Sequence, residues 1–490
     1  MCSRALLTDL YQLTMMQGLF LKNMHRIKCV FDRFYRKNPF DNAYSVVAGL
    51  EHVITYLKEL SFSEDDISYL RSTGIFEESF LEYLKDFHFS GDLYAIPEGT
   101  IVFAQEILVR VEAPRDECML IETALSMYMN HESLIATKAR RIRTVAGDDT
   151  LVEFGMRRAQ GTSASVYGAR SAIIGGFEGT SNMCSAAQFG IHPVGTMAHS
   201  WIMSFESELE AFRAYADKYE NLLVLLVDTY DTLKQGIPNA IKVFEEVRER
   251  RGGAMPPRYG IRLDSGDLAY LSKRARKLLD VAGFMDATIF ASNDLDEFLI
   301  SELKSQGCAI TSWGVGTKLI TATGSPALGG VYKLAGMWND DGSFEHRMKF
   351  SDNIEKITNP GRKKVLRLIN KKEGKLYGKL IGDLICLESE TIDAEKEFVF
   401  IDPLHPWKHT ILKPGEYEVV SLLQQIFKDG KCVYELPTLA DIKAYADEQI
   451  AILWPETLRL VNPNEVHVNI SHELFDLRSK LLLENSRRSR

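Results

Sequence analysis

Three short stretches, far apart in the chain, carry residue types that bind or transfer charged groups: Gly155-Met156-Arg157-Arg158, Gly195-Thr196-Met197-Ala198-His199-Ser200 and Arg262-Leu263-Asp264-Ser265-Gly266-Asp267. A guanidinium offers a planar fork of donors that matches a phosphate or carboxylate, which an ammonium does less well. His199, set among small and hydroxyl residues, is placed to act as nucleophile or base. Asp228, Asp231, Asp264 and Asp267 are hard oxygen ligands of the kind that hold magnesium beside a pyrophosphate. Each type also has a plainer use, since arginine pairs form outer ion pairs, a lone histidine is usually structural and aspartates cap helices. Asp267, directly before the helical pattern Leu268 to Gly283, reads as a cap, whereas Asp264, still beside its strand, is the better chemical candidate. Gly314-Val315-Gly316-Thr317 leads into a helical stretch, where backbone N–H groups can cradle a phosphate.

The elements that must position these groups begin near residue 150, where short apolar runs are each followed by a polar turn and a helical stretch. The runs are Leu151 to Phe154, Gly176 to Glu178, Pro193 to Gly195, Leu222 to Val227, Tyr259 to Leu263, Ala287 to Phe290, Ala309 to Trp313 and, as an eighth, Val331 to Leu334. Seven or eight such units predict an irregular TIM-like α/β barrel in preference to an open doubly wound sheet. In a barrel of this kind the reactive groups stand on the loops after the strands. Gly179-Thr180-Ser181-Asn182, Asp228-Thr229-Tyr230-Asp231 and Ser292-Asn293-Asp294 fall there, together with the stretches above. An arginine pair after one strand, a histidine after a second and an Arg-x-Asp-Ser-Gly-Asp run across a third point to one site. Residues 1–145 read as an N-terminal α+β domain ending in a long amphipathic helix over Ile121 to Arg143. Residues 146–345 read as the α/β barrel, and residues 346–490 as a mainly β appendage with a helical end near Ser471 to Leu483.

Among 490 residues, 45% are hydrophobic and 26% charged, the balance of a globular protein with a large core. A net charge of −9 argues against a general nucleic-acid surface, which needs many cations along one face. Seven scattered cysteines without CxxC spacing read as free thiols in a reducing compartment. The densest apolar run, Leu222 to Val227, is far short of the roughly 20 residues that span a bilayer. A cytoplasmic protein without a membrane segment is expected.

The motifs carry a resemblance that runs nearly end to end. It opens on Thr8-Asp9-Leu10-Tyr11-Gln12-Leu13-Thr14-Met15-Met16 and continues through Phe154-Gly155-Met156-Arg157-Arg158-Ala159-Gln160-Gly161, Gly195 to Ser200 and Arg262 to Asp267. Gly329-Gly330-Val331-Tyr332-Lys333-Leu334, Pro360-Gly361-Arg362-Lys363 and Leu460-Val461-Asn462-Pro463 complete it. Jointly these strings resemble the nicotinate phosphoribosyltransferases, which are type II phosphoribosyltransferases. The resemblance implies condensation of nicotinate with phosphoribosyl pyrophosphate to nicotinate mononucleotide and pyrophosphate, driven by ATP hydrolysis, in NAD salvage. It implies that His199 is phosphorylated, that Asp264 is a catalytic residue in contact with the phosphoribosyl group, and that Tyr11, Thr196 and Arg262 contact nicotinate. Arg157, Ser181, Asn293, Gly314, Gly316 and Thr317 then bind phosphoribosyl pyrophosphate. Asp228 and Asp264 are the candidate magnesium ligands, and the assembly implied is a homodimer with sites at the subunit boundary. Other readings are a nicotinamide-specific relative, a barrel lyase or aldolase with a Schiff base on Lys318, and a non-catalytic nucleotide-binding protein.

Overall fold

Short β-branched and leucine-rich runs bounded by polar turns form strands when both faces can be covered. Six of them do so in a wholly parallel sheet. Its spatial order is Gly179–Thr180, Thr150–Glu153, Ser312–Val315, Thr288–Ser292, Tyr259–Leu263 and Leu223–Leu226. All four residues of Ser312–Val315 are buried, as are all but one each of Tyr259–Leu263 and Leu223–Leu226. An isolated parallel bridge, Thr180 to Pro193, adds a seventh contributor beyond Gly179–Thr180. The computed structural model describes residues 3–353, 356–371, 378–403, 407 and 409–488.

Around this arc the segments follow one another in chain order, as a barrel requires, with a single seam between the Pro193 bridge and Leu223–Leu226. Among the described residues no ladder crosses that seam, so the expected closed barrel is instead a half-barrel. Two further expectations are corrected here. The second strand is Gly179–Thr180 and not Gly176 to Glu178, because Gly176, at φ 109°, and Phe177 still bond back to the helix Thr162–Ile174. Val331 to Leu334 is a strand but not part of the parallel sheet. It lies within Gly330–Trp338, which pairs antiparallel with Lys28–Tyr35, and Tyr332 stacks on Phe31 with ring centroids 4.9 Å apart.

The chain divides into two units, residues 138–326, which hold the parallel sheet, and residues 1–137 with 327–490. The second of these contains a seven-stranded sheet in the order Phe344–His346, Gly330–Trp338, Lys28–Tyr35, Val109–Pro114, Asp92–Ala95, Gln424–Lys428 and Lys431–Cys432. A six-stranded sheet built largely from residues after 362 packs Leu366, Leu368, Leu384, Phe400 and Tyr417 into its own core. The long helix expected over Ile121 to Arg143 is Glu122–Ala146, and the C-terminal helix is His472–Arg488. No helix among the described residues is long and apolar enough to cross a membrane.

In the parallel unit the helices Leu268–Val281 and Glu297–Ser305 each start on a side-chain cap. Asp267 accepts from the Tyr270 amide at 2.9 Å, and Asp296 accepts from the Leu299 amide at 2.8 Å. Such caps contribute about 1 kcal/mol each and fix where the preceding loop ends. Asp267 is therefore a cap, as its position before a helix suggested. Asp231 is one too, accepting from the Lys234 amide at 2.9 Å.

Candidate active site

At the C-terminal ends of the parallel strands one arginine gathers three loops. Arg262, in the strand Tyr259–Leu263, donates from Nε to Ser292 Oγ at 2.8 Å. From Nη1 it reaches Thr196 Oγ1 at 2.9 Å and the Met197 carbonyl at 3.2 Å, and from Nη2 it reaches Asp264 Oδ1 at 2.7 Å. A guanidinium has five N–H donors, so these bonds leave one uncommitted. The Phe154 ring stands 5.8 Å from the guanidinium carbon and supports the group from one side.

Asp264 is the second node. Ser292 donates its hydroxyl to Oδ1, and Oδ2 faces His199 Nε2 at 3.6 Å. Burial pushes the Asp264 carboxyl up, but the Ser292 hydroxyl, the Arg262 guanidinium and the nearby His199 outweigh it and hold it below the usual range. Asp228 folds the neighbouring loop, since its Oδ2 accepts from the Asp264 amide at 2.8 Å and from Ser265 Oγ at 2.7 Å. Its Oδ1 is buried without a hydrogen-bond partner. His199, first residue of the helix His199–Met203, meets Thr229 Oγ1 through Nδ1 at 3.1 Å.

Thr196, His199, Asp228, Arg262 and Asp264 thus share one cluster, joined by Ser292 and Thr229, to which sequence reasoning gave no role. A serine or threonine after a strand looks like any turn residue, so nothing in the string marks them. Of the other expected residues, Arg157, Ser181, Asn293 and Gly316 stand on the turns and loops after the strands. Arg157 is exposed on the turn Met156–Arg158, and Ser181 is exposed after Gly179–Thr180. Asn293 is exposed and held at φ 129°, a conformation rare for a residue with a side chain beyond Cα, with its Oδ1 on the Asp294 amide at 2.9 Å. Gly314 lies inside its strand, where a Cβ would come within 2.6 Å of the Phe154 ring and 2.8 Å of the Phe290 ring. Packing alone therefore demands glycine there. Gly316 precedes Thr317–Ile320, a helix of only four residues, so its macrodipole is far smaller than the expected helical stretch suggested. Tyr11 belongs to the other unit, exposed near the start of the helix Leu10–Leu21.

Residues 150–340 match the nicotinate phosphoribosyltransferase family, residues 6–130 match its N-terminal domain, and residues 362–478 match its C-terminal domain. The chain belongs to the nicotinate phosphoribosyltransferase family. Within that family it is 44% identical to the nicotinate phosphoribosyltransferase of Bacillus subtilis (strain 168), over 96% of this chain and 94% of that one. It is 37% identical to the enzyme of the same name from Dictyostelium discoideum, over 98% and 88%. The crystal structure of human nicotinic acid phosphoribosyltransferase superimposes with a TM-score of 0.82 at 27% identity, covering 97% of this chain and 99% of that one. The mixed α/β architecture with a parallel half-barrel is therefore the fold of a family member.

Proposed function

We propose that the chain joins nicotinate to phosphoribosyl pyrophosphate, forming nicotinate mononucleotide and pyrophosphate, with ATP hydrolysis coupled through His199. The observation that carries this reading is the Arg262 node. One guanidinium with a donor to spare stands beside a hydroxyl, a carboxylate and an imidazole drawn from separate loops. Nicotinate presents a carboxylate, which the remaining Arg262 N–H would take. The Thr196 hydroxyl accepts from Arg262 and donates to the Met197 carbonyl at 3.3 Å, and its proton can turn to the same group. Tyr11 is assigned to the pyridine ring, for which a flat phenol offers a stacking face.

Cleavage at the ribose carbon builds positive charge on the sugar and negative charge on the leaving pyrophosphate. Asp264, kept ionised by Arg262 and Ser292, is suited to the first. Arg157 and the amides of the loops bearing Ser181, Asn293, Gly316 and Thr317 are suited to the second, with Gly314 in the strand that leads to the last of them. The buried, partnerless Asp228 Oδ1 fits a hard cation. Asp228 and Asp264 would hold magnesium as a carboxylate pair, the usual case when substrate phosphates complete the shell; no cluster of three or more such ligands occurs among the described residues. When bound, magnesium would neutralise the leaving pyrophosphate.

In the neutral tautomer that carries its proton on Nδ1, toward Thr229 Oγ1 at 3.1 Å, His199 would offer the Nε2 lone pair to the γ-phosphoryl group of ATP. The P–O bond to ADP breaks as a P–N bond forms, and water later releases phosphate. The Schiff-base reading for Lys318 finds no support, because its Nζ is engaged by Asp296 Oδ2 at 2.8 Å. The six described cysteines are free thiols, in keeping with a reducing, cytoplasmic setting. A homodimer sharing its sites is part of the same proposal.

The test is mononucleotide formation by purified protein with phosphoribosyl pyrophosphate and magnesium, offered nicotinate or nicotinamide, with and without ATP. Nicotinate turnover stimulated by ATP is expected. Preference for nicotinamide, or no product from either base, overturns the reading.

A further inference from the structure

Glu153 closes the first parallel strand, Thr150–Glu153, with none of its surface exposed. A carboxylate is a poor choice for packing inside a parallel sheet, where Val or Thr would fill the space without a desolvated charge. Both of its oxygens are used. Oε1 accepts the Gly155 amide, and Oε2 accepts the Thr180 hydroxyl at 2.5 Å. Its backbone carbonyl accepts the Ser181 amide at 3.0 Å.

These partners belong to two different loops. The chain leaves the sheet after Phe154, whose amide makes the last ladder bond to the Val315 carbonyl at 2.8 Å, so the Gly155 N–H needs another acceptor. Gly155 is pinned from the other side as well, since a Cβ there would lie 2.5 Å from Ile320 Cβ and 2.8 Å from Glu153 Oε1. Arg157 follows two residues later. On the second loop, Thr180 Oγ1 also accepts the Asn182 amide at 2.9 Å. Asn182 in turn caps the helix Met183–Phe189 and donates to the Ser165 carbonyl at 3.1 Å. A single buried carboxylate therefore fixes the spacing between the loop that carries Arg157 and the loop that carries Ser181.

We infer that Glu153 is a positioning residue for the phosphate-binding half of the site: by clamping the Gly155 amide and the Thr180 hydroxyl it holds the Arg157 and Ser181 loops at the separation that one phosphoribosyl pyrophosphate spans. This inference rests on the proposed reaction and on the assignment of those two loops to its phosphates. It assigns Glu153 no contact with nicotinate, so the two substrates should respond differently when the clamp is altered.

The experiment compares Glu153→Gln, Thr180→Val and Thr180→Ser with the wild-type enzyme in steady-state assays that vary each substrate in turn, with melting curves in parallel. Glutamine keeps the shape of Glu153 but has one acceptor oxygen, so one donor loses its partner. Valine removes the Thr180 arm, and serine restores it. The expected result is a rise of about tenfold in the KM for phosphoribosyl pyrophosphate in Glu153→Gln and Thr180→Val. The KM for nicotinate should stay within about twofold, and Thr180→Ser should behave as wild type. If both constants rise together, or the phosphoribosyl pyrophosphate constant does not move in folded variants, the inference fails. Should Glu153→Gln not fold, the Thr180 pair decides alone. A wild-type enzyme that makes no mononucleotide overturns the functional reading itself, and this inference with it.

Discussion

Replacing Arg262 by Gln separates what its charge does for the ligand from what its hydrogen bonds do for the loops. In the structure the guanidinium uses its donors on Ser292, Thr196, the Met197 carbonyl and Asp264, and the group is largely buried. Losing them loosens three loops at once and should slow the reaction with any pyridine substrate by a common factor. The ligand's share appears in the ratio between acid and amide. A hydrogen bond between charged partners is worth about 1.5–3 kcal/mol and a neutral one about 0.5–1.5 kcal/mol, so the carboxylate of nicotinate should lose about 1–1.5 kcal/mol more than the amide of nicotinamide. That difference corresponds to a fall of roughly 5–13-fold in the ratio of kcat/KM for nicotinate over nicotinamide. The assay is initial rate against each base at saturating phosphoribosyl pyrophosphate, with inhibition of nicotinate turnover by nicotinamide as a second measure. An equal loss for acid and amide would show that Arg262 only braces the loops, and the carboxylate would have to be read elsewhere.

His199→Ala should abolish ATP stimulation while leaving slow, ATP-independent synthesis, measured as ATP consumed per mononucleotide; unchanged coupling in this variant rules the phosphohistidine out. Asp264 is held below the usual carboxylate range, so its contribution to stability is complete above the unfolded value near pH ~3.9 and is lost as pH falls through the lower folded value. Asp264→Asn should therefore flatten the acid limb of melting temperature against pH, and an identical limb would refute this. Gly155→Ala should lower stability by about 1–3 kcal/mol by driving a methyl into Ile320. Gly195→Ala, which meets nothing within 4 Å, should change it little, and equal melting temperatures for the two would count against the packing argument.

How far the string of residues disclosed this arrangement depends on how local each feature is. Leu223–Leu226 and Tyr259–Leu263 were legible because a strand buried on both faces must be a short apolar run ended by a turn. Asp267 was legible as a cap because the helix it starts follows at once. Arg262 and Asp264 were legible as a pair, two residues apart on one side of a strand end. Val331 to Leu334 is legible as extended but not as a strand outside the barrel, since its partner Lys28–Tyr35 lies some three hundred positions earlier and pairing leaves no mark on either run. Ser292 and Thr229 were invisible for a similar reason: their importance comes from Arg262 and His199, which only the fold brings near. Glu153 carried an overlooked local signal, a carboxylate set between apolar Leu151, Val152 and Phe154 at a strand end.

The seam in the half-barrel explains why the site forms where it does. Val194 still bonds the Thr180 carbonyl at 2.9 Å, but beyond it no ladder continues to Leu223–Leu226 among the described residues. The chain is therefore released from the sheet and crosses the gap along the strand ends. Thr196 and the Met197 carbonyl meet Arg262, one strand past the gap, and His199 meets Thr229 directly after Leu223–Leu226. Side chains lace the seam that backbone pairing leaves open, and those side chains are the polar groups of the site. A closed barrel would have consumed the backbone groups of residues 194–197 in a ladder and turned alternate side chains inward and outward. Opening it lets Thr196, Met197 and His199 converge on one side.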